Sequence, residues 1–193
     1  MNNVIYFQEN TFNANPEVLD NIFKLRHNTF IERLGWEINS DQGRERDQYD
    51  DLKPFHIAVE NTDQVQGCWR ALPTQGKYML KDTFPQLLQG EMAPQQDDIW
   101  EISRFAVDKN KRGQDKGFYS EVTIDLVRSF YDFAVARGIK GYVTVTTTAC
   151  ERILRQLGVT MRRMGDGKAV QIGVERSVAL WIEVDQNLNI TKH

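Results

Sequence analysis

Apolar residues first recur at helical spacing: Leu19, Ile22, Phe23, Phe30 and Leu34 lie along one face of a helix predicted from Pro16 to Leu34. Asn15 can cap that helix, and Pro16 suits its first position, where no backbone N–H is needed. The pattern then stops. From Gly35 to Lys53 the chain is polar and acidic, with Glu37, Asp41, Glu45, Asp47, Asp50 and Asp51. A loop this long in a compact domain is usually functional or mobile. Strands follow at Phe55–Glu60 and Val65–Leu72, joined by a turn around Asn61–Asp63. A short helix near Leu80–Leu88 and a strand at Ile99–Val107 come next. The basic loop Asp108–Lys116 leads into a long helix, Phe118–Arg137, with Val122, Leu126, Phe130 and Phe133 or Ala134 facing the core and Gly138 as C-cap. The β-branched run Tyr142–Thr147 reads as a strand. A helix at Cys150–Leu157, with Gly158 behind it, and strands at Ala169–Val174 and Val178–Val184 complete the pattern.

That order predicts a mixed-sheet α/β fold, a three-layer αβα sandwich with helices on both faces of one sheet. With 193 residues, 40% of them hydrophobic, a single domain over residues 1–193 can bury a core without disulfides or metal. Cys68 and Cys150 sit in apolar runs and read as reduced, buried thiols. Three scattered histidines and two cysteines point away from a metal site, and none is expected. The net charge of −3 gives no reason to expect a nucleic-acid partner. No apolar run approaches the roughly 20 residues that span a bilayer. Met1–Asn10 has no basic stretch followed by an apolar one, so a cytoplasmic protein without membrane insertion is expected.

Charges inside apolar segments carry the candidate chemistry. Arg26 lies four residues from both Ile22 and Phe30, on the face that should be buried. A buried charge must be paired, and the acidic loop offers Asp47 and Asp50. Arg70 sits in the strand Gly67-Cys68-Trp69-Arg70-Ala71-Leu72, and Arg104 in Trp100-Glu101-Ile102-Ser103-Arg104-Phe105. One such arginine is an ordinary structural pair. Three, with several carboxylates, suggest a shared polar cluster, which stability alone rarely favours over apolar packing. A charged ligand, or charge developing in a reaction, explains it better. Glu101 and Ser103 stand two apart on one strand and so share a face. Glu101 can act as a base toward a ligand amine, directly or through one water, and Ser103 can bond a neighbouring carbonyl. Thr144 and Thr146 also share a strand face, where packing and ligand-lining roles both fit.

At these positions the sequence resembles the LuxI-type acyl-homoserine-lactone synthases, from about Arg26 to Val184. The resemblance rests on Arg26, Phe30, Trp36, Asp47 and Asp50, then Arg70 in Gly-Cys-Trp-Arg. It continues through Tyr78-Met79-Leu80, Phe84-Pro85, Trp100-Glu101-x-Ser103-Arg104-Phe105, Val143-Thr144-Val145-Thr146-Thr147 and Glu151-Arg152. It implies a fold like that of the GCN5-related N-acetyltransferases. It also implies S-adenosylmethionine as amine substrate and an acyl chain on acyl carrier protein, less often acyl-CoA, as donor. The active cluster it implies is Arg26, Asp47, Asp50, Arg70, Glu101 and Arg104. Phe30, Trp36, Ser103, Phe105, Thr144 and Thr146 would contact substrate. Thr146 matches a position where threonine accompanies 3-oxo or 3-hydroxy chains, and Trp69 with Met79 resembles members taking longer chains. Acyl carrier proteins are acidic, so Lys111, Arg112, Lys116, Arg152 and Arg155, with Arg162 and Arg163 nearby, are candidate docking residues.

Two rivals share the fold. A CoA-dependent N-acetyltransferase would bind pyrophosphate on the Arg112–Gly117 loop, which lacks the second glycine of the usual pattern and leaves the acidic loop without a task. A non-catalytic binding module would have no use for an intact charged cluster.

Overall fold

The structure is a computed structural model that describes residues 2–9, 15–62, 64–109 and 119–190. Among the described residues eight strands form one mixed sheet: β1 (Asn3–Gln8), β2 (Phe55–Asn61), β3 (Gln64–Pro73), β4 (Ile99–Val107), β5 (Gly141–Thr147), β6 (Met161–Arg163), β7 (Val170–Ile172) and β8 (Glu175–Glu183). Their order is β1-β2-β3-β4-β5-β8-β6, with β7 also paired to β8. The α-helices are α1 (Pro16–His27), α2 (Met79–Asp82), α3 (Glu121–Arg137) and α4 (Thr148–Gln156). The fold is the expected mixed α/β class. The chain divides into two compact units, Met1–Arg70 with Arg104–Ser129, and Ala71–Ser103 with Phe130–His193; β3, β4 and α3 run through both.

In the first unit β1 pairs antiparallel with β2 from Asn3↔Glu60 to Gln8↔Phe55. Asn15 starts α1 by accepting from the backbone N–H groups of Glu17 (3.0 Å) and Val18 (3.4 Å). Ile22, Phe23 and Phe30 pack with Phe7, Ala58, Cys68 and Ala106 into one core. Burial pushes the Cys68 thiol up to about 12, so it stays protonated at neutral pH. The first half of α3 lies tight on β3 at Gly67, where a Cβ would stand 2.6 Å from Leu126 Cδ1 and 2.8 Å from Val122 Cγ1. Gly67→Ala should therefore cost roughly 1–3 kcal/mol in urea unfolding; an unchanged midpoint would show that the helix moves away freely.

In the second unit β4 pairs parallel with β5 over Ile99↔Gly141 to Ile102↔Thr144, and β8 pairs antiparallel with β5. Both faces are covered. On one, Tyr78, Leu80, Leu87 and Leu88 pack with Ile99, Val143 and Ala179. On the other, Trp100 meets Phe133 of α3 edge-on at 5.8 Å, and the Tyr142 hydroxyl donates to Phe130 O at 2.8 Å. Gly138 ends α3 with φ 67°, the left-handed C-cap its position suggested.

Several expected elements differ in detail. The helix predicted to Leu34 is α-helical only to His27; residues Asn28–Arg33 form a π-turn, with Leu34 N donating to Thr29 O at 3.1 Å. The helix expected near Leu80–Leu88 stops at Asp82, and Pro85, which has no N–H to continue it, opens a separate 3₁₀ turn to Leu88. β1 and β6 were not anticipated. β1 buries one residue, Phe7, and β6 has three residues, two of them arginines, so neither shows a clean alternation.

Candidate active site

Arg26 is the centre of the first unit's polar core. α1 carries it on the face shared with Ile22 and Phe23, and it is wholly buried. Its Nε donates to Glu45 Oε2 at 2.5 Å, and its two terminal nitrogens grip Asp50 at 2.9 and 2.8 Å. From β3, Arg70 donates to Asp47 at 2.5 and 3.1 Å and to Asp50 at 2.8 Å. From β4, Arg104 donates to Glu45 at 2.9 Å and stands 2.7 Å from Asp47 Oδ2. Three guanidinium groups thus meet three carboxylates from the acidic loop.

The loop is shaped to deliver them. Glu45 N donates to Phe23 O at 3.1 Å, which ties the loop to α1. Asp47 N donates to Asp50 Oδ2, and Tyr49 N to Asp47 Oδ1, both at 2.9 Å, so the carboxylates fold their own backbone. The cost of removing six charges from water is met by these pairings. Burial opposes the charge on Asp50, yet Arg70 and Arg26 hold its carboxyl far below the usual range. The same contest leaves Asp47 lowered by Arg70 and Arg104, and Arg26 raised by Asp50 and Glu45.

Exposure is graded across the cluster. The Arg26, Glu45, Asp50 and Arg70 side chains are at most 1% exposed, whereas Arg104 reaches 10% and Asp47 17%. Asp47 and Arg104 are therefore its open edge. Arg104 also has a positive φ of 56°, a strained backbone for a non-glycine residue in mid-strand, and such strain gathers at functional sites. Its guanidinium lies 5.6 Å from the Phe30 ring centroid. Phe30 and Trp36 stack at 4.7 Å, inclined by 8°. The Trp36 indole N–H is buried and has no hydrogen-bond partner among the described residues.

Of the expected catalytic residues, the first unit thus gathers Arg26, Asp47, Asp50, Arg70 and Arg104, with Phe30 and Trp36 alongside. Glu45 was missing from the expected set, although it carries two of the arginines. A signal existed: Glu45 stands two residues before Asp47 in a stretch outside any helix or strand. Phe105 is half-buried on β4 in the same unit.

Glu101 and Ser103 lie in the second unit, both buried. Both Glu101 oxygens are occupied: Oε2 accepts from Met79 N at 2.9 Å and Oε1 from Leu80 N at 2.8 Å. Glu101 is level with Val143 in the ladder, and Thr144 with Ile102, so Thr144 and Thr146 project from the opposite sheet face. Thr147 caps α4 through Cys150 N at 3.2 Å.

Among the expected docking residues, Arg155 and Arg163 both pair with the buried Glu151 at 2.9 and 2.7 Å, and Arg162 pairs with Glu91 at 2.7 Å. Arg152 is exposed on α4. Lys111, Arg112 and Lys116 lie outside the described residues. Among the described residues no cluster of His, Cys, Asp or Glu could hold a metal ion, and no helix is long and apolar enough to cross a membrane.

Known proteins resemble this chain over most of its length. The family model described as autoinducer synthase matches residues 10–190. An acyl-homoserine-lactone synthase of Vibrio anguillarum is 40% identical over 184 residues, covering 94% of this chain and 95% of that protein. The crystal structure of the AHL synthase LasI superposes with a TM-score of 0.84 at 36% identity, covering 96% of this chain and 91% of LasI. TofI, in a ternary complex with an inhibitor and MTA, gives 0.80 at 28% identity, with 97% of each chain covered. A putative N-acetyltransferase from Lactobacillus plantarum shares the fold alone, with a TM-score of 0.62 at 16% identity and 95% and 99% coverage. The chain belongs to the autoinducer synthase family and is an acyltransferase that makes acyl-homoserine lactones.

Proposed function

We propose that the acyl acceptor is S-adenosylmethionine and that the donor is an acyl chain carried as a thioester on acyl carrier protein. The observation that carries this reading is the open edge of the charge cluster, Asp47 and Arg104, beside the Phe30–Trp36 stack. S-adenosylmethionine brings an ammonium, a sulfonium and a carboxylate. Asp47 suits the cations, Arg104 suits the carboxylate, and aromatic faces favour a sulfonium or a planar base. The MTA (methylthioadenosine) in the TofI complex is the nucleoside such a substrate leaves behind.

In the first step the neutral amine attacks the thioester carbonyl. The C–N bond forms, the C–S bond breaks, and the carrier thiol departs. In the second, the methionine carboxylate attacks its own γ-carbon. The C–O bond forms as the bond to the sulfonium breaks, and methylthioadenosine leaves as a neutral thioether. A sulfonium is a good leaving group, so the ring closure calls for no metal or cofactor. Holding carboxylate and γ-carbon in one bent conformer is a proximity effect on the order of several kcal/mol.

An acidic carrier protein suits the arginines on α4, of which Arg152 and Arg155 are exposed. Thr146, half-buried on β5, with Trp69 and Met79, each buried in its own unit, favours a medium-to-long chain bearing a 3-oxo or 3-hydroxy group. A reaction on cytoplasmic metabolites fits a cytoplasmic enzyme. The test is mass spectrometry of products from the purified chain with S-adenosylmethionine and a panel of acyl thioesters on carrier protein or CoA. The expected result is an acyl-homoserine lactone and an equal amount of methylthioadenosine, with carrier-bound donors preferred. Acylation of simple amines by acetyl-CoA without S-adenosylmethionine would overturn the reading.

A further inference from the structure

We infer that Glu101 is a positioning residue, which anchors the Tyr78–Leu80 turn through both carboxylate oxygens and leaves removal of the amine proton to solvent. This inference rests on the reading above, in which an amine of S-adenosylmethionine attacks a thioester.

The geometry is that of an anchor. Glu101 is wholly buried on β4, in the segment paired with β5, so its backbone is fixed on both sides of the residue. Its oxygens take the N–H groups of Met79 and Leu80, the first two residues of α2, at 2.9 and 2.8 Å. Those groups have no partner within the helix and need an acceptor. Tyr78 offers no side-chain cap at this helix start, so Glu101 supplies from another strand what a local Ser or Asp usually supplies. The turn is pinned elsewhere as well: Tyr78 N donates to Asp82 Oδ2 at 2.8 Å, and its hydroxyl donates to Pro94 O at 2.6 Å. The charged groups of this short helix are Asp82 and Lys81, and Lys81 turns to Gly76 O at 2.7 Å. Turning the carboxylate away to reach a substrate amine would take this acceptor from two buried N–H groups, an exchange that a general base performing every turnover should not require.

No strong base is needed for the chemistry. A free α-amino group loses its proton at about pH 7.7–8.0, so roughly a tenth of the substrate is already nucleophilic at pH 7. What the reaction does need is a fixed wall of buried side chains. Tyr78, Met79 and Leu80 are all buried, and the Glu101 contacts set their position.

The two roles differ in pH dependence and in how the kinetic constants divide. The wild-type lactone assay should be run from pH 6 to 9 with S-adenosylmethionine and an octanoyl thioester, beside an NMR titration of the free substrate amine. In the positioning role kcat/KM rises through the amine's own midpoint. Glu101→Gln keeps one acceptor oxygen and loses about tenfold in kcat/KM, mostly as a higher KM for the thioester, and Glu101→Leu loses on the order of a hundredfold. The pH limb stays where it was in both variants. The inference is overturned if wild-type kcat/KM is flat or falls across pH 6 to 9 instead of rising through the amine's midpoint, or if the limb vanishes in Glu101→Gln while KM is unchanged. The wild-type profile decides the matter even if a variant fails to fold. Absence of any lactone from the wild type would instead sink the reading beneath it.

Discussion

Asp50→Ala should lower the free energy of unfolding by about 3–5 kcal/mol, because it strips the shared partner from two buried guanidinium groups. Asp50 takes a two-pronged grip from Arg26, a third bond from Arg70 and a fourth from Asp47 N. Alanine leaves Arg26 with Glu45 alone and removes the acceptor that closes the Asp47–Asp50 turn. Urea denaturation at pH 7 measures the loss, and a change below about 1 kcal/mol would mean that water reaches the vacated site. Lactone formation should fall with it, since Asp47 would lose the backbone anchor that aims it. The carboxyls also set an acid limit. Asp47 and Asp50 are held below their unfolded value of 3.8, so the stability they contribute is present above that value. It is lost as pH falls through the lower folded values.

His56→Phe should remove a separate, milder acid sensitivity and should not weaken the protein at neutral pH. His56 is 1% exposed on β2, level with Phe7 in the ladder, with its ring 5.7 Å from Phe7 and edge-on to Phe23 at 6.1 Å. Neither ring nitrogen has a hydrogen-bond partner among the described residues. Burial pushes its pKa down from 6.5 to about 4, against the pull of the Asp50 charge and with the help of Arg26, Arg70 and Arg46. The folded protein therefore binds this proton less readily than the unfolded chain. The stability contributed by the neutral ring is complete above pH 6.5 and drains away as pH falls toward 4, by about 3 kcal/mol in all. Phenylalanine has no proton to take and no polar atoms to bury, so urea midpoints at pH 7 and pH 4.5 should differ far less than in the wild type. His56→Leu checks that the larger ring does not strain the core. Equal pH dependence in the wild type and both variants would show that another group titrates in that window.

Much of this was legible in the residues themselves. Arg26, Arg70 and Arg104 announced a shared site because each is a charge on an otherwise apolar face, and burial requires an answer to such a charge. Long elements with a clear period, such as α3 and β4, were read within a few residues. What escaped detection depends on partners far along the chain. β1 has no strong pattern of its own and exists because β2 offers it an edge. Glu45 looks like its neighbours Glu37, Asp41 and Asp51 until α1 and β4 bring arginines to it. Glu101 raised the opposite difficulty. Its residue type suggested a base, and nothing local to it announced that its oxygens would accept from the backbone N–H groups of Met79 and Leu80.

The π-turn between Asn28 and Arg33 amounts to a helix holding one residue more than its regular course allows. Each residue advances a helix by about 100°, so that surplus swings everything after it around the axis. A shortened chain, one residue less there, could wind smoothly to Leu34, and Trp36 would then emerge on a different side from Phe30. The surplus residue thus sets the side on which Trp36 meets Phe30, and a homologue lacking it would have to build that wall from other side chains.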